Sequence, residues 1–285
     1  MATVAALGVA GFELVEHGVV PGKQRLDSAI GACDVPTPNV SFGPLGQEIS
    51  GTFESKARNR SVGYIIGYPY GYELGSALPL VIMLHGFGGN HASALYGMSN
   101  SQAVAMQIGG QSLPPMALVT VDGGGGYWTP HPGDDPQAMV MNELIPLCQS
   151  RGLGSTPHQI AVMGTSMGGA GALLFAEKFP ETFTAVAAIS PAIWTTYAEA
   201  HKANSGAYAS AVEFSANDVV THASALTGLP VRIASGVDDP FHPGVESLLN
   251  VLPRGAVVDL ATGCHTDPFF ESQQPPSLAF LGRHL

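Results

Sequence analysis

The chain has 285 residues, 45 % of them apolar and 12 % charged, which is ample for a sizeable core and far from a disordered composition. Lys and Arg number 11 against 22 Asp and Glu, a formal net charge of −11 with no basic cluster, so a nucleic-acid partner is excluded on charge. No internal stretch reads as a bilayer span.

In chain order, Met1 to Val15 is small and apolar but too short to cross a membrane, and it lacks the Lys/Arg start of a secretory signal. It reads as the tail of an export signal or as a short packing segment. The export reading, with the protein outside the cell or in its envelope, is preferred over a cytoplasmic one. Residues 1–47 are therefore taken as an N-terminal extension and 48–285 as one catalytic domain. Three cysteines, Cys33, Cys148 and Cys264, form no CxxC pair, which argues against a zinc or redox motif. At most one internal disulfide can form, and Cys33 with Cys148 or with Cys264 stays open. The default expectation is small buried thiols.

From residue 48 the pattern becomes regular. Glu48 to Ala57 and Val62 to Tyr68 read as a strand pair. Short apolar runs follow at Leu80–Leu84, Ala117–Val121, Ile160–Met163, Ala185–Ile189, Val231–Ala234 and Ala256–Leu260, the signature of buried parallel strands. Helix candidates lie between them, around 92–108, 136–150, 167–178, 244–252 and 268–285. This alternation predicts an α/β fold, a mostly parallel sheet covered by helices on both faces with an antiparallel N-terminal edge. Residues 195–228 are less regular and read as an insertion of one or two short helices over the site.

Gly164-Thr165-Ser166-Met167-Gly168 is a GxSxG run between a strand and a small-residue helix. That is the setting of a nucleophile elbow, where Ser stands on a strained turn and flanking glycines admit the neighbouring backbone. His85-Gly86-Phe87-Gly88-Gly89 follows another buried strand and reads as an oxyanion loop. The backbone N–H groups of Phe87 and Met167 are the candidate donors, and His85 is read as a support of the loop. A Ser nucleophile needs a base, and the base an orienting acid. Asp238 and Asp239 stand together after the strand Val231–Ala234. The spacing Gly-x-x-Asp-Pro selects Asp239, with Asp238 the alternative. His265, in a Gly-led loop after the last strand, is the candidate base.

Phe87, Trp128, Trp194, Phe241 and Phe269 adjoin these loops and are candidate pocket walls. Apolar walls without basic residues favour a neutral acyl group. Gly123–Gly126 lacks the Lys and Ser/Thr of a phosphate loop and reads as a close-packing segment. Asp134-Asp135 reads as a solvated loop or helix cap in preference to a cation site. The partner expected is a small-molecule ester, with no cofactor and no metal. Oligomeric state is not encoded in any pattern here.

Gly164-Thr-Ser-Met-Gly-Gly-Ala-Gly-Ala-Leu173, continuing through Phe179-Pro180 to Ala187-Ala188-Ile189-Ser190-Pro191, resembles the esterase D family of α/β-hydrolases. That family includes S-formylglutathione hydrolases, feruloyl and acetyl esterases, and the antigen 85 mycolyltransferases. Asp122-Gly to Tyr127-Trp128, Asp134-Asp135 and Glu143-Leu144 resemble exported actinobacterial members. The resemblance implies an α/β-hydrolase fold and metal-free catalysis by Ser166, Asp239 and His265. The loop His-Gly-Phe-Gly-Gly lacks the cysteine expected of S-formylglutathione hydrolases and differs from the antigen 85 loop. A serine carboxylesterase is the reading that follows. An antigen 85-type acyltransferase and a non-catalytic binding protein of the same fold are the alternatives.

Overall fold

The computed structural model describes residues 31, 33–35, 40–41, 44, 46–94, 107–108, 111–155 and 159–285; the segment Met1 to Val15 lies outside them. An eight-stranded sheet runs through β2 (Glu48–Ser55), β3 (Arg60–Gly67), β4 (Leu80–Leu84), β7 (Ala117–Val121), β8 (Ile160–Thr165), β9 (Val186–Ile189), β10 (Val231–Gly236) and β11 (Val257–Ala261). Its order is β11-β10-β9-β8-β4-β7-β3-β2. The pairs from β7 to β11 are parallel, and β2 and β3 form the antiparallel edge. Short strands β1 (Val40–Ser41), β5 (Gln107–Ile108) and β6 (Gln111–Ser112) make a separate small sheet.

Successive residues of a strand point to opposite faces, and the core divides accordingly. Leu80, Ile82 and Leu84 of β4 join one buried cluster with Val162 and Phe175. Val81 and Met83 join a second cluster with Met163, Phe269 and Leu278. Five continuous apolar residues in β4 are thus what a doubly covered strand requires.

The helices are α1 (Pro136–Met139), α2 (Ile145–Gln149), α3 (Met167–Lys178), α4 (Tyr197–Ala203), α5 (Ala211–Ala216), α6 (His242–Leu249) and α7 (Asp267–Gly282). α3 packs against β8, β9 and β4, while α7 packs against β9, β10 and β8, so helices cover both faces. Between α1 and α2 the chain makes a π-turn, Val140–Leu144. Pro146 has no N–H to donate, and a wider turn accommodates that gap without ending the helix.

Two expectations need correction. The helix candidate around 92–108 ends on a strand at Gln107–Ile108 and begins in a turn at 91–94; residues 95–106 lie outside the described ones. Of the cysteines, only Cys148 is a buried thiol. Cys33 and Cys264 are joined in a disulfide across 231 positions, a long-range pairing that spacing alone does not reveal. Residues 195–228 hold α4, α5 and a 3₁₀ turn, Ala223–Leu226. Thr196 and Ser210 each cap a helix by accepting from the backbone N–H three residues on.

Candidate active site

Three loops leave the carboxyl ends of parallel strands and converge. β8 ends at Thr165, and Ser166 turns the chain at φ 56°, ψ −121° into α3. A β-carbon on Gly164 would lie 2.1 Å from the Gly168 carbonyl oxygen, and one on Gly168 would lie 2.0 Å from that of Leu84. Neither position admits a side chain. The strain at Ser166 is held by backbone bonds on both sides: its N–H donates to Ile189 (2.9 Å), and its carbonyl accepts from Ala170 (3.1 Å) and Ala192 (2.9 Å).

The loop after β10 delivers Asp239, and the loop after β11 delivers His265. Ser166 Oγ lies 2.8 Å from His265 Nε2, and His265 Nδ1 lies 2.8 Å from Asp239 Oδ2. With the Nδ1 proton facing the carboxylate, Nε2 is free to accept from the hydroxyl. The Asp239 side chain is fully buried, and its other oxygen accepts from the Phe241 N–H at 2.8 Å. Of the two adjacent acids, Asp239 is therefore the one whose carboxylate reaches His265. The Asp238 backbone N–H donates to the Gly263 carbonyl (3.1 Å) and ties the acid loop to the base loop.

Met167 is the first residue of α3, so its N–H has no intrahelical acceptor and sits at the positive end of the helix dipole. Phe87 lies in a turn closed by Gly89 N–H on Gly86 O (3.1 Å), with its ring exposed beside Gly125. His85 anchors this turn. Its Nδ1 donates to Gly86 O (2.8 Å), and its Nε2 accepts from Gly123 N–H (2.9 Å). Both nitrogens are occupied as in a neutral ring, and burial keeps its pKa below the usual histidine value. Arg58, itself buried, donates to the Asp122 carbonyl and pairs with Asp134. Asp135 caps α1 by accepting from Ala138 N–H, so the two acids are spoken for as support and cap.

The five aromatic candidates separate. Trp194 and Phe241 meet edge to face at 4.7 Å, and the Phe241 ring lies 5.0 Å from that of His265. Phe87 stands exposed at the rim. Trp128 and Phe269 do not line the site, because both are completely buried. Trp128 fills the space over Gly123 and Gly171 and donates from Nε1 to His85 O at 3.3 Å. Phe269 packs under Gly263 in the second core cluster. Their sequence neighbours take the expected places. Phe270 sets its ring edge to face on His265 at 4.9 Å, and Tyr127 accepts from Trp194 Nε1 at 2.9 Å. Consecutive residues of a helix differ by about 100° in direction, and at Tyr127 and Trp128 two positive φ angles, 56° and 58°, turn the chain over. Neither effect follows from adjacency to a catalytic loop, the only signal used to choose among the aromatics.

Tyr127, Trp194, Ala192 and Ala170, with Asn217 and Asp218, line a cavity of about 20 Å³, room for about one water. It adjoins the elbow, since Ala170 and Ala192 are the residues bonded to the Ser166 carbonyl. Among the described residues, no three His, Cys, Asp or Glu side chains gather as metal ligands would, and no helix is long and apolar enough to cross a membrane.

The chain is similar to known proteins in sequence pattern and in fold. A family model described as "Putative esterase" matches residues 55–247. A solved ferulic acid esterase superposes with a TM-score of 0.68 at 19 % identity, covering 86 % of this chain and all of that one. An S-formylglutathione hydrolase from Agrobacterium tumefaciens gives 0.67 at 18 %, covering 87 % and 98 %. MPT51 of Mycobacterium tuberculosis gives 0.61 at 14 %, covering 86 % and 98 %. No curated protein matches the sequence.

Proposed function

The chain belongs to the esterase family matched over residues 55–247 and is a serine ester hydrolase, and we propose that it cleaves its ester through an acyl-enzyme on Ser166. The observation that carries this reading is the unbroken chain from Ser166 Oγ through His265 to Asp239, 2.8 Å at each link. His265 Nε2 takes the Ser166 proton as Oγ attacks the ester carbonyl. The developing oxyanion is held by the N–H groups of Phe87 and Met167. His265 returns the proton to the leaving alcohol, and water repeats the sequence on the acyl-enzyme. Asp239 holds the ring in its tautomer and stabilises its cation.

The walls support a neutral substrate. Phe87, Phe241 and Trp194 flank the site, apolar walls that suit a neutral acyl or alcohol group, and the adjoining cavity, at about 20 Å³, does not admit a long chain. The N-terminal extension, residues 1–47, precedes a catalytic domain of 48–285 carrying the 195–228 insertion. Export is supported by the Cys33–Cys264 disulfide, since such bonds persist chiefly in oxidising compartments.

A series of p-nitrophenyl esters of rising chain length tests the assignment. Short chains are expected to give the highest kcat/KM, and Ser166→Ala to remove turnover by a factor of roughly 10⁶. A fluorophosphonate probe should label Ser166. Absence of labelling would favour the binding-protein alternative, and formation of a new ester with an added alcohol or sugar in preference to hydrolysis would favour the acyltransferase.

A further inference from the structure

His265 hangs from an edge of the sheet. β11 is an edge strand, paired with β10 alone, and most of its residues are exposed or only partly buried. After it, the chain turns at Gly263 and reaches the base two residues later. Among the described residues, backbone hydrogen bonds tie this loop to the β10 side: Val237 N–H donates to Ala261 O and Asp238 N–H to Gly263 O. Cys264, immediately before His265, is completely buried and bonded to Cys33. Val35, two residues beyond Cys33, packs against the second core cluster, and its Cγ1 lies 3.1 Å from where a β-carbon on Gly263 would stand. The segment 33–35 therefore lies along the outer side of the 263–264 turn, where no strand of the described residues does.

We propose that the Cys33–Cys264 disulfide is a positioning device for the catalytic base: it clamps the turn that carries His265, so that full activity requires the oxidised protein. The proposal rests on His265 being the base of the reading above. Opening the clamp needs a dithiol. One of its thiolates attacks Cys33 Sγ, the more accessible sulfur, and Cys264 leaves as a thiolate and takes a proton. The second thiol then closes the reagent into a cyclic disulfide and releases the Cys33 thiol. Two electrons and two protons pass to the protein. Freed of the clamp, the turn keeps its hydrogen bonds on the β10 side and the Phe270 contact, but loses its covalent tie to the core. A displacement approaching 1 Å at a catalytic group costs up to about 100-fold, and partial loosening is expected to cost about tenfold.

The test compares oxidised protein, protein treated with dithiothreitol under native conditions, and Cys33→Ser. Alkylation after unfolding counts the thiols: one expected before reduction, from Cys148, and three after it. With p-nitrophenyl acetate, the reduced protein should lose about tenfold in kcat with KM changed less than about twofold. The acid limb of its kcat/KM profile should shift, and activity should return on reoxidation. Cys33→Ser should show the lowered kcat from the outset and no response to dithiothreitol. If Cys33→Ser does not fold, the reduced protein supplies the readout; if the bond resists reduction, the variant supplies it. Unchanged kcat and pH profile with three free thiols, or in a folded Cys33→Ser, would overturn the proposal even if the melting temperature fell, because that is a staple acting on stability alone. Fluorophosphonate labelling separates the two levels. No labelling of oxidised protein sinks the triad reading itself, whereas equal labelling rates before and after reduction sink only the clamp.

Discussion

Ser166 leaves β8, which has parallel neighbours on both sides and six buried residues, and enters α3, which packs on three strands. His265 leaves β11, which has one neighbour and an exposed face, and is steadied by a disulfide, two aromatic rings and the Asp238–Gly263 bond. On the reading proposed above, the nucleophile is positioned by the sheet and the base by attachments added to it. A strained φ/ψ pair persists only where the surroundings over-determine it, which is why the elbow belongs at the centre. A base that gives and takes protons needs only its ring planted between two partners, and a loop at the edge meets that need once it is tied down.

The largest effect expected from the edge half is on Asp239. Asp239→Asn keeps the shape but offers the ring an amide in place of a charge, so the Nε2 lone pair is no longer presented to Ser166. A fall in kcat on the order of 10⁴ is expected, measured with p-nitrophenyl acetate at neutral pH. Asp238→Asn, one position away, leaves the Asp239–His265 pair intact and should cost far less in kcat. A large loss in Asp238→Asn with a small one in Asp239→Asn would reverse the assignment of the acid.

At the centre the sharpest test is Gly168→Ala. The added methyl would stand 2.0 Å from a backbone carbonyl of β4, with no flexible side chain to move aside. Destabilisation of about 3 kcal/mol or more is expected, in the upper range for overpacking, together with loss of Ser166 labelling. A variant with native melting temperature would mean that the elbow is looser than its contacts imply. A milder effect belongs to Phe241→Ala. It removes the ring between His265 and Trp194, contacts worth about 0.5–1.5 kcal/mol, so kcat/KM should fall by up to about tenfold with the pH profile retained.

The same contrast explains what could be read in the sequence. The inner strands and the helix carrying the elbow announce themselves, because a doubly covered strand must be continuously apolar and a helix starting at an elbow must be small near its first turn. Ser166 is visible for the same reason, since only glycine fits at 164 and 168. The edge is harder to see. Cys33 and Cys264 carry no local mark of being partners across 231 positions. Asp238 and Asp239 share their local features, and family spacing alone distinguishes them. Trp128 and Phe269 were candidates for the pocket and belong to the core, because side-chain direction at a turn or a helix start depends on φ and on helical phase. Phe270 packs on His265 and Tyr127 accepts from Trp194 in their stead.

The smallest predicted effect lies at the far end of α3. Glu177 is 7 % exposed, and neither of its carboxylate oxygens has a hydrogen-bond partner among the described residues. Burial, reinforced by Asp218 and only partly offset by Lys178, pushes its pKa up to about 9. The Lys178 ammonium is turned towards Asn217 Oδ1 at 2.5 Å, not into a pair with Glu177. In the unfolded chain the acid ionises near 4.5; in the folded one it keeps its proton. Between those two values the folded state binds the extra proton, so its stability falls as pH rises. Glu177→Gln removes that dependence while keeping the shape of the neutral acid. Its melting temperature should lie close to the parent's at pH 5 and exceed it increasingly towards pH 9. Parallel curves for the two proteins would show that Glu177 is ionised and paired in the fold. The expected divergence would show that the fold buries a neutral acid without a hydrogen-bond partner among the described residues, one helix length from Ser166.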